Sequence, residues 1–139
     1  MTQNTAGPDP SLSTIERGHE HVLVVEDDDM VRNYVVQQLG SLGYQVSEAR
    51  DGFTGLEILR QRDDIDLLFT DIVLPGGMLG PKLAETAKLL RPELHILFTS
   101  GYSADTLNHN GEMDQGFELL QKPYRRQELA QGLRKVLAG

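Results

Sequence analysis

Strand-like and helix-like segments alternate from His21 to the end of this chain, and that alternation limits its fold more than any other feature. The strand signals are short: a β-branched run at His21–Val25, an alternating one at Tyr44–Ala49, and apolar stretches at Asp66–Asp71, Leu94–Thr99 and Phe117–Gln121. Between them, apolar residues recur at helical spacing. Met30–Leu39 places Val31, Tyr34, Val35 and Leu39 on one stripe, with Asp28 or Asp29 as its N-cap. Phe53–Arg60 does the same with Phe53, Leu56 and Leu59, and Pro81–Leu90 opens on a proline suited to a first turn. A closing helix, Arg125–Leu137, turns Leu129, Leu133, Val136 and Leu137 inward. The weak link is Ser103–Gly116, where Asn108-His109-Asn110-Gly111 and Asp114-Gln115-Gly116 are turn chemistry, so the fourth helix is expected to be short or irregular. Five strands alternating with helices predict a parallel α/β sheet covered on both faces, with right-handed crossovers.

A length of 139 residues suits one domain with one core. Met1 to about Arg17 is polar and rich in turn formers, so residues 1–18 are expected to be a flexible tail and residues 19–139 the domain. Cysteine is absent, which removes disulfides, thiol catalysis and thiolate metal sites. No apolar run approaches the roughly 20 residues of a membrane helix. The N-terminus lacks the order of a signal peptide, so a cytoplasmic protein is expected. The net charge of −8, from 21 acidic and 13 basic residues, argues against nucleic acid as a partner. Arg125-Arg126 and Arg134-Lys135 read as a solvated helix face, and His19, His21, His95 and His109 as structural or solvated.

The chemistry-bearing residues fall where strands end. Glu26 and Asp27 follow the first strand, Asp71 ends the third, Thr99 the fourth, and Lys122 follows the fifth. In a doubly wound sheet of order 2-1-3-4-5 these ends converge at the carboxyl edge, where open parallel sheets bind ligands. Three carboxylates that close need a cation, because like charges raise each other's pKa. Hard oxygens with room for water suit Mg²⁺. A hydroxyl and an ammonium beside them suit phosphoryl oxygens, so the set reads as an aspartyl-phosphate site with Asp71 as nucleophile. Taken singly, each signal has a plainer reading. Glu26–Asp29 could be a solvated helix N-terminus, Thr99 a β-branched strand residue and Lys122 a solvated strand end.

Taken together, Val22-Leu23-Val24-Val25-Glu26-Asp27-Asp28, Thr70-Asp71-Ile72-Val73-Leu74-Pro75, Thr99-Ser100-Gly101-Tyr102 and Lys122-Pro123 resemble the receiver domain of two-component response regulators. The resemblance runs from about His21 to the C-terminus and implies a flavodoxin-like fold. It implies that Asp71 accepts a phosphoryl group from the phosphohistidine of a histidine kinase or histidine phosphotransfer protein. Asp27, Glu26, Asp71 and the carbonyl of Val73 would hold Mg²⁺, for which Mn²⁺ can substitute, and Thr99 and Lys122 would hold phosphoryl oxygens. No organic cofactor is implied. The Lys122–Pro123 peptide is expected to be cis, and the molecule a monomer or weak dimer. Two departures stand out. The loop Pro75-Gly76-Gly77-Met78-Leu79-Gly80 is one glycine longer than the family form, and Leu119 replaces the usual switch aromatic, a part Tyr102 could take with Thr99.

The resulting expectation is a switch rather than an enzyme, acting through an unknown downstream protein or onward phosphotransfer. The closing helix leaves no room for an output module, and the chain equally resembles receivers at the C-terminal end of hybrid histidine kinases. One competing reading is a receiver-like adaptor that binds constitutively. Another is an aspartyl-nucleophile phosphohydrolase of the haloacid-dehalogenase type, which wants an acid where Val73 stands. Neither Val73 nor Gly101 offers a polar side chain to orient an attacking water, so self-dephosphorylation is expected to be slow. Val73→Asn should then shorten the lifetime of the phosphorylated form several-fold, read as loss of the acyl phosphate over time; an unchanged lifetime would refute the expectation.

Overall fold

A computed structural model describes residues 17–74, 76–101 and 118–138. The strands are β1 (His21–Val25), β2 (Gln45–Ala49), β3 (Leu67–Asp71), β4 (His95–Ser100) and β5 (Glu118–Gln121). The helices are α1 (Asp29–Ser41), α2 (Gly52–Gln61), α3 (Gly80–Leu90) and α4 (Arg126–Ala138). All strand pairs are parallel and the order is β2-β1-β3-β4-β5, as expected from the alternation. The tail, the segment Ser103–Gly116, Tyr102 and Phe117 lie outside the described residues, apart from Arg17 and Gly18 at the tail's end.

Two apolar layers form, one on each face of the sheet. Val22, Val24, Leu67, Phe69 and Leu97 face α1 and α4, meeting Val35, Leu39, Leu129 and Leu133. Leu23, Val25, Leu68 and Phe98 face α2 and α3, meeting Leu56, Leu59, Leu83 and Ala87. The switch of face at each residue is the two-residue period of a strand. Because both faces are covered, β1 is buried along its whole length and reads as a continuous apolar run.

Local signals set the helix starts. Asp28 caps α1 by accepting from the amides of Met30 and Val31, and Asp51 caps α2 by accepting from that of Thr54. Pro81 lies in the first turn of α3. Two residues of the expected stripes turn outward. Phe53, at the second position of α2, is 57% exposed, and Tyr34 is 39% exposed with its hydroxyl turned to the Tyr124 carbonyl.

The expected solvated face at Arg134-Lys135 is also corrected. Lys135 is exposed, but Arg134 is half-buried. Its guanidinium forms an ion pair with Glu20 at 2.6 Å, donates to the Tyr44 hydroxyl at 3.1 Å, and lies 5.7 Å from the centroid of the Tyr44 ring. His21 is structural: Nε2 lies 2.8 Å from the Ser47 hydroxyl and Nδ1 3.3 Å from an Asp64 oxygen.

Burial opposes the charge on Glu20, but bonds from Arg134 and from backbone amides outweigh it and hold the carboxyl at about 2. A depressed carboxyl stabilises the fold above its unfolded pKa and loses that contribution as pH falls through its folded one. Wild-type protein should therefore exceed Glu20→Gln in urea-unfolding stability at pH 7 by no more than about 1 kcal/mol, the scale of a screened ion pair. That difference should vanish as pH drops from 4.5 towards 2; a difference that persists there would contradict the assignment.

Candidate functional site

Four of the five strands, β1, β3, β4 and β5, each deliver part of the site at the carboxyl end. Beyond Val25 the chain turns, and the turn is pinned at both ends of Glu26. Its amide donates to the Ala49 carbonyl at 3.0 Å, and its buried carboxylate accepts from the Asp28 amide at 3.0 Å. Asp27 is exposed beside it. Asp71 ends β3 directly opposite Thr99 on β4, and the Ile72 amide donates to the Thr99 carbonyl at 3.0 Å. Thr99 is buried. One carboxylate oxygen from each of Glu26, Asp27 and Asp71 lies within 4.8 Å of the other two.

Lys122 completes the cluster. Its amide donates to the Ser100 carbonyl at 2.7 Å, continuing the β5 ladder one residue past the strand, and the Lys122–Pro123 peptide is cis. The ammonium donates to Glu26 Oε1 and to Asp71 Oδ2, both at 2.8 Å. Burial raises the Glu26 carboxyl above the usual range, against the pull of Lys122 and the Asp28 amide. Burial works the other way on Lys122, but Asp71 and Glu26 outweigh it and raise the ammonium above its ordinary value. Three carboxylates against one ammonium leave two negative charges uncompensated, which is the charge of a divalent cation.

The β3–α3 loop closes tightly over Asp71. Gly76 and Gly77 adopt left-handed conformations at φ 81° and 85°, which glycine takes without strain. The Gly80 amide donates to the Ile72 carbonyl at 2.7 Å, and a Cβ at Gly80 would overlap the Asp71 carbonyl. Val73 is 55% exposed, and its amide approaches Asp71 Oδ1 at 3.4 Å. Leu119 is half-buried against the apolar layer of α2 and α3. Tyr102 lies outside the described residues.

Sequence reasoning passes over two residues here. Tyr124, just past Pro123, is buried with its ring edge-on to Phe69 at 6.1 Å, and its carbonyl accepts from the Tyr34 hydroxyl at 3.4 Å. A groove of about 360 Å³ lined by Met30, Val31, Tyr34, Lys122, Pro123 and Tyr124 opens beside the cluster. Arg32 joins the acidic turn to β2; its one legible signal is the three-residue spacing from Asp29 on a helix.

Residues 22–134 match the family model of the response regulator receiver domain. The chain is 34% identical over 118 residues to the response regulator receiver protein CpdR of Brucella abortus, covering 85% of this chain and 97% of that one. It is 36% identical over 121 residues to the sensor kinase CckA of the same organism, which covers 86% of this chain but only 13% of that protein. Among solved structures, the receiver domain of the hybrid histidine kinase CckA superposes with a TM-score of 0.70 at 33% identity, over 84% of this chain and 98% of that one. The chemotaxis protein CheY4 of Vibrio cholerae, at 24% identity, shares the fold with a TM-score of 0.76, over 86% of this chain and all of that one.

Removing the ammonium should expose the repulsion it now offsets. Lys122→Met should lower stability at pH 7 in the absence of divalent cations by about 3–5 kcal/mol, the cost of stripping one partner from a desolvated pair. The deficit should be smaller at pH 5 than at pH 7, because burial raises the Glu26 carboxyl and no ammonium then opposes its protonation. Urea unfolding at the two pH values reads this, and an equal deficit at both would contradict it.

Proposed function

The chain belongs to the response regulator receiver domain family, and on that premise we propose that it is a phosphorylation-controlled switch whose acceptor is Asp71. The observation that carries the reading is the Lys122 ammonium held between Glu26 and Asp71, with Asp27 within ligand distance of both. An Asp71 carboxylate oxygen attacks the phosphorus of a phosphohistidine. The new O–P bond replaces the P–N bond, and the released imidazole takes up a proton.

Every residue then has a task set by its place. Glu26, Asp27 and Asp71 offer the hard oxygens that suit Mg²⁺ or Mn²⁺, and the Val73 carbonyl lies two residues beyond the acceptor, on the same loop. The bound ion supplies charge neutralisation for acceptor and phosphoryl group. Lys122 already touches Asp71 and keeps its proton strongly, so it stays cationic towards phosphoryl oxygens. Thr99, paired with Asp71 across the ladder, brings a hydroxyl donor to the neighbouring strand end. Water attack on the acyl phosphate later returns the free carboxylate, and the exposed apolar Val73 does nothing to orient that water.

Phosphorylation adds a charge of about −1.5 to −2 to the pocket. Thr99 is the group placed to respond, with Tyr102 and Leu119 beyond it. The donor is a histidine kinase or a histidine phosphotransfer protein, and a downstream protein reads the altered surface. Residues 19–139 form the working domain, cytoplasmic and monomeric or weakly dimeric. The phosphohydrolase reading is weaker, because Val73 occupies the position where that chemistry needs an acid.

Incubation with acetyl phosphate and Mg²⁺ should place one phosphoryl group on the protein, shift the amide resonances at Thr99 and Ser100, and fail in Asp71→Asn. An acid that stays inert to every phosphodonor with the divalent ion present would overturn the proposal.

A further inference from the structure

The structure assigns Arg32 a positioning role: its guanidinium fixes the Glu26–Asp27 peptide and so sets where the Asp27 carboxylate stands towards a divalent cation. This inference rests on the cation site proposed above. Arg32 touches neither Asp71 nor Lys122 among the described residues, yet it is one of the most engaged side chains near them. It is only 15% exposed. Nη1 donates to the Glu26 carbonyl at 2.9 Å, Nη2 to Asp29 at 2.6 Å and Nε to Glu48 on β2 at 3.0 Å. One rigid planar fork therefore binds the end of β1, the first turn of α1 and the neighbouring strand.

The contact with the carbonyl is the one that matters for the site. The carbonyl of Glu26 belongs to the peptide plane that precedes Asp27, so turning that plane turns Asp27 with it. Glu26 is held independently through its carboxylate, by Lys122 and the Asp28 amide, and through its own amide by Ala49. Asp27 is exposed, and its side chain has no hydrogen bond or ion pair among the described residues. Its position is inherited from the backbone, and Arg32 holds that backbone from the carbonyl side. Groups that orient metal ligands without touching the metal commonly change affinity by about 10- to 100-fold when lost.

Electrostatics alone predicts the opposite sign. Removing a cation near an acidic cluster should tighten binding of a divalent ion, and charge and placement are thereby separable. Mg²⁺ titrations of the full chain, followed by the amide resonances of Asp27 and Asp28, compare the wild type with Arg32→Lys, Arg32→Gln and Glu48→Gln. Arg32→Lys keeps the charge but not the fork, and Arg32→Gln loses both; each should weaken Mg²⁺ about tenfold. Glu48→Gln breaks the outer ion pair but leaves the carbonyl contact, and its affinity should stay within about twofold of wild type. Urea unfolding of each variant sets conditions where all are folded, and if Arg32→Gln does not fold, Arg32→Lys decides. Unchanged or tighter binding in the Arg32 variants, or a loss in Glu48→Gln as large as theirs, would overturn the role. No Mg²⁺ binding by the wild type would remove the underlying reading and this inference with it.

Discussion

One ammonium group, on Lys122, lies between carboxylates that come from residues 96 and 51 positions away in the chain. It offsets part of the cost of holding Glu26 and Asp71 this close and this far from solvent. The buried Glu26 carboxyl meets desolvation and a like charge together, and only the donors around it offset them. The pocket is therefore poised: its groups are compact and ordered, yet its charge is incompletely matched. Under the proposed function, a cation or an added phosphate would act on that imbalance.

That poise depends on the rigidity of what lies beneath. β1 and β3 are packed on both faces, so the residues just past their ends have little freedom. The Glu26 amide, the Ile72 amide and the Lys122 amide each extend a ladder bond beyond the strand proper, and carry the order of the sheet up into the site. On the far side Gly80 allows α3 to start against the Asp71 backbone, where any larger residue would push the loop after Asp71 away. Fold and chemistry meet in these few main-chain bonds.

The rim is different in character. Val73, Phe53, Leu79, Tyr34 and Met30 are exposed around the acidic centre, and the groove beside Lys122 is lined by aromatic and aliphatic side chains.

Alternating periods of two and 3.6 residues were enough to determine the parallel sheet, its helices and the strand ends at which Glu26, Asp27, Asp71, Thr99 and Lys122 stand, because these signals are local and repeat along the chain. Spacing could not tell that Phe53 and Tyr34 are exposed, since it marks one face of a helix without saying how much of that face its neighbours cover. Arg134 read as a solvated residue because its partners, Glu20 and the Tyr44 ring, are distant in sequence. Arg32 escaped notice for a related reason: one acceptor is a main-chain carbonyl, which carries no residue code, and another is Glu48 across a crossover. Only the folded chain decided which carboxylates share the Lys122 ammonium and which guanidinium holds their turn, because those bonds exist only after the strands are laid side by side.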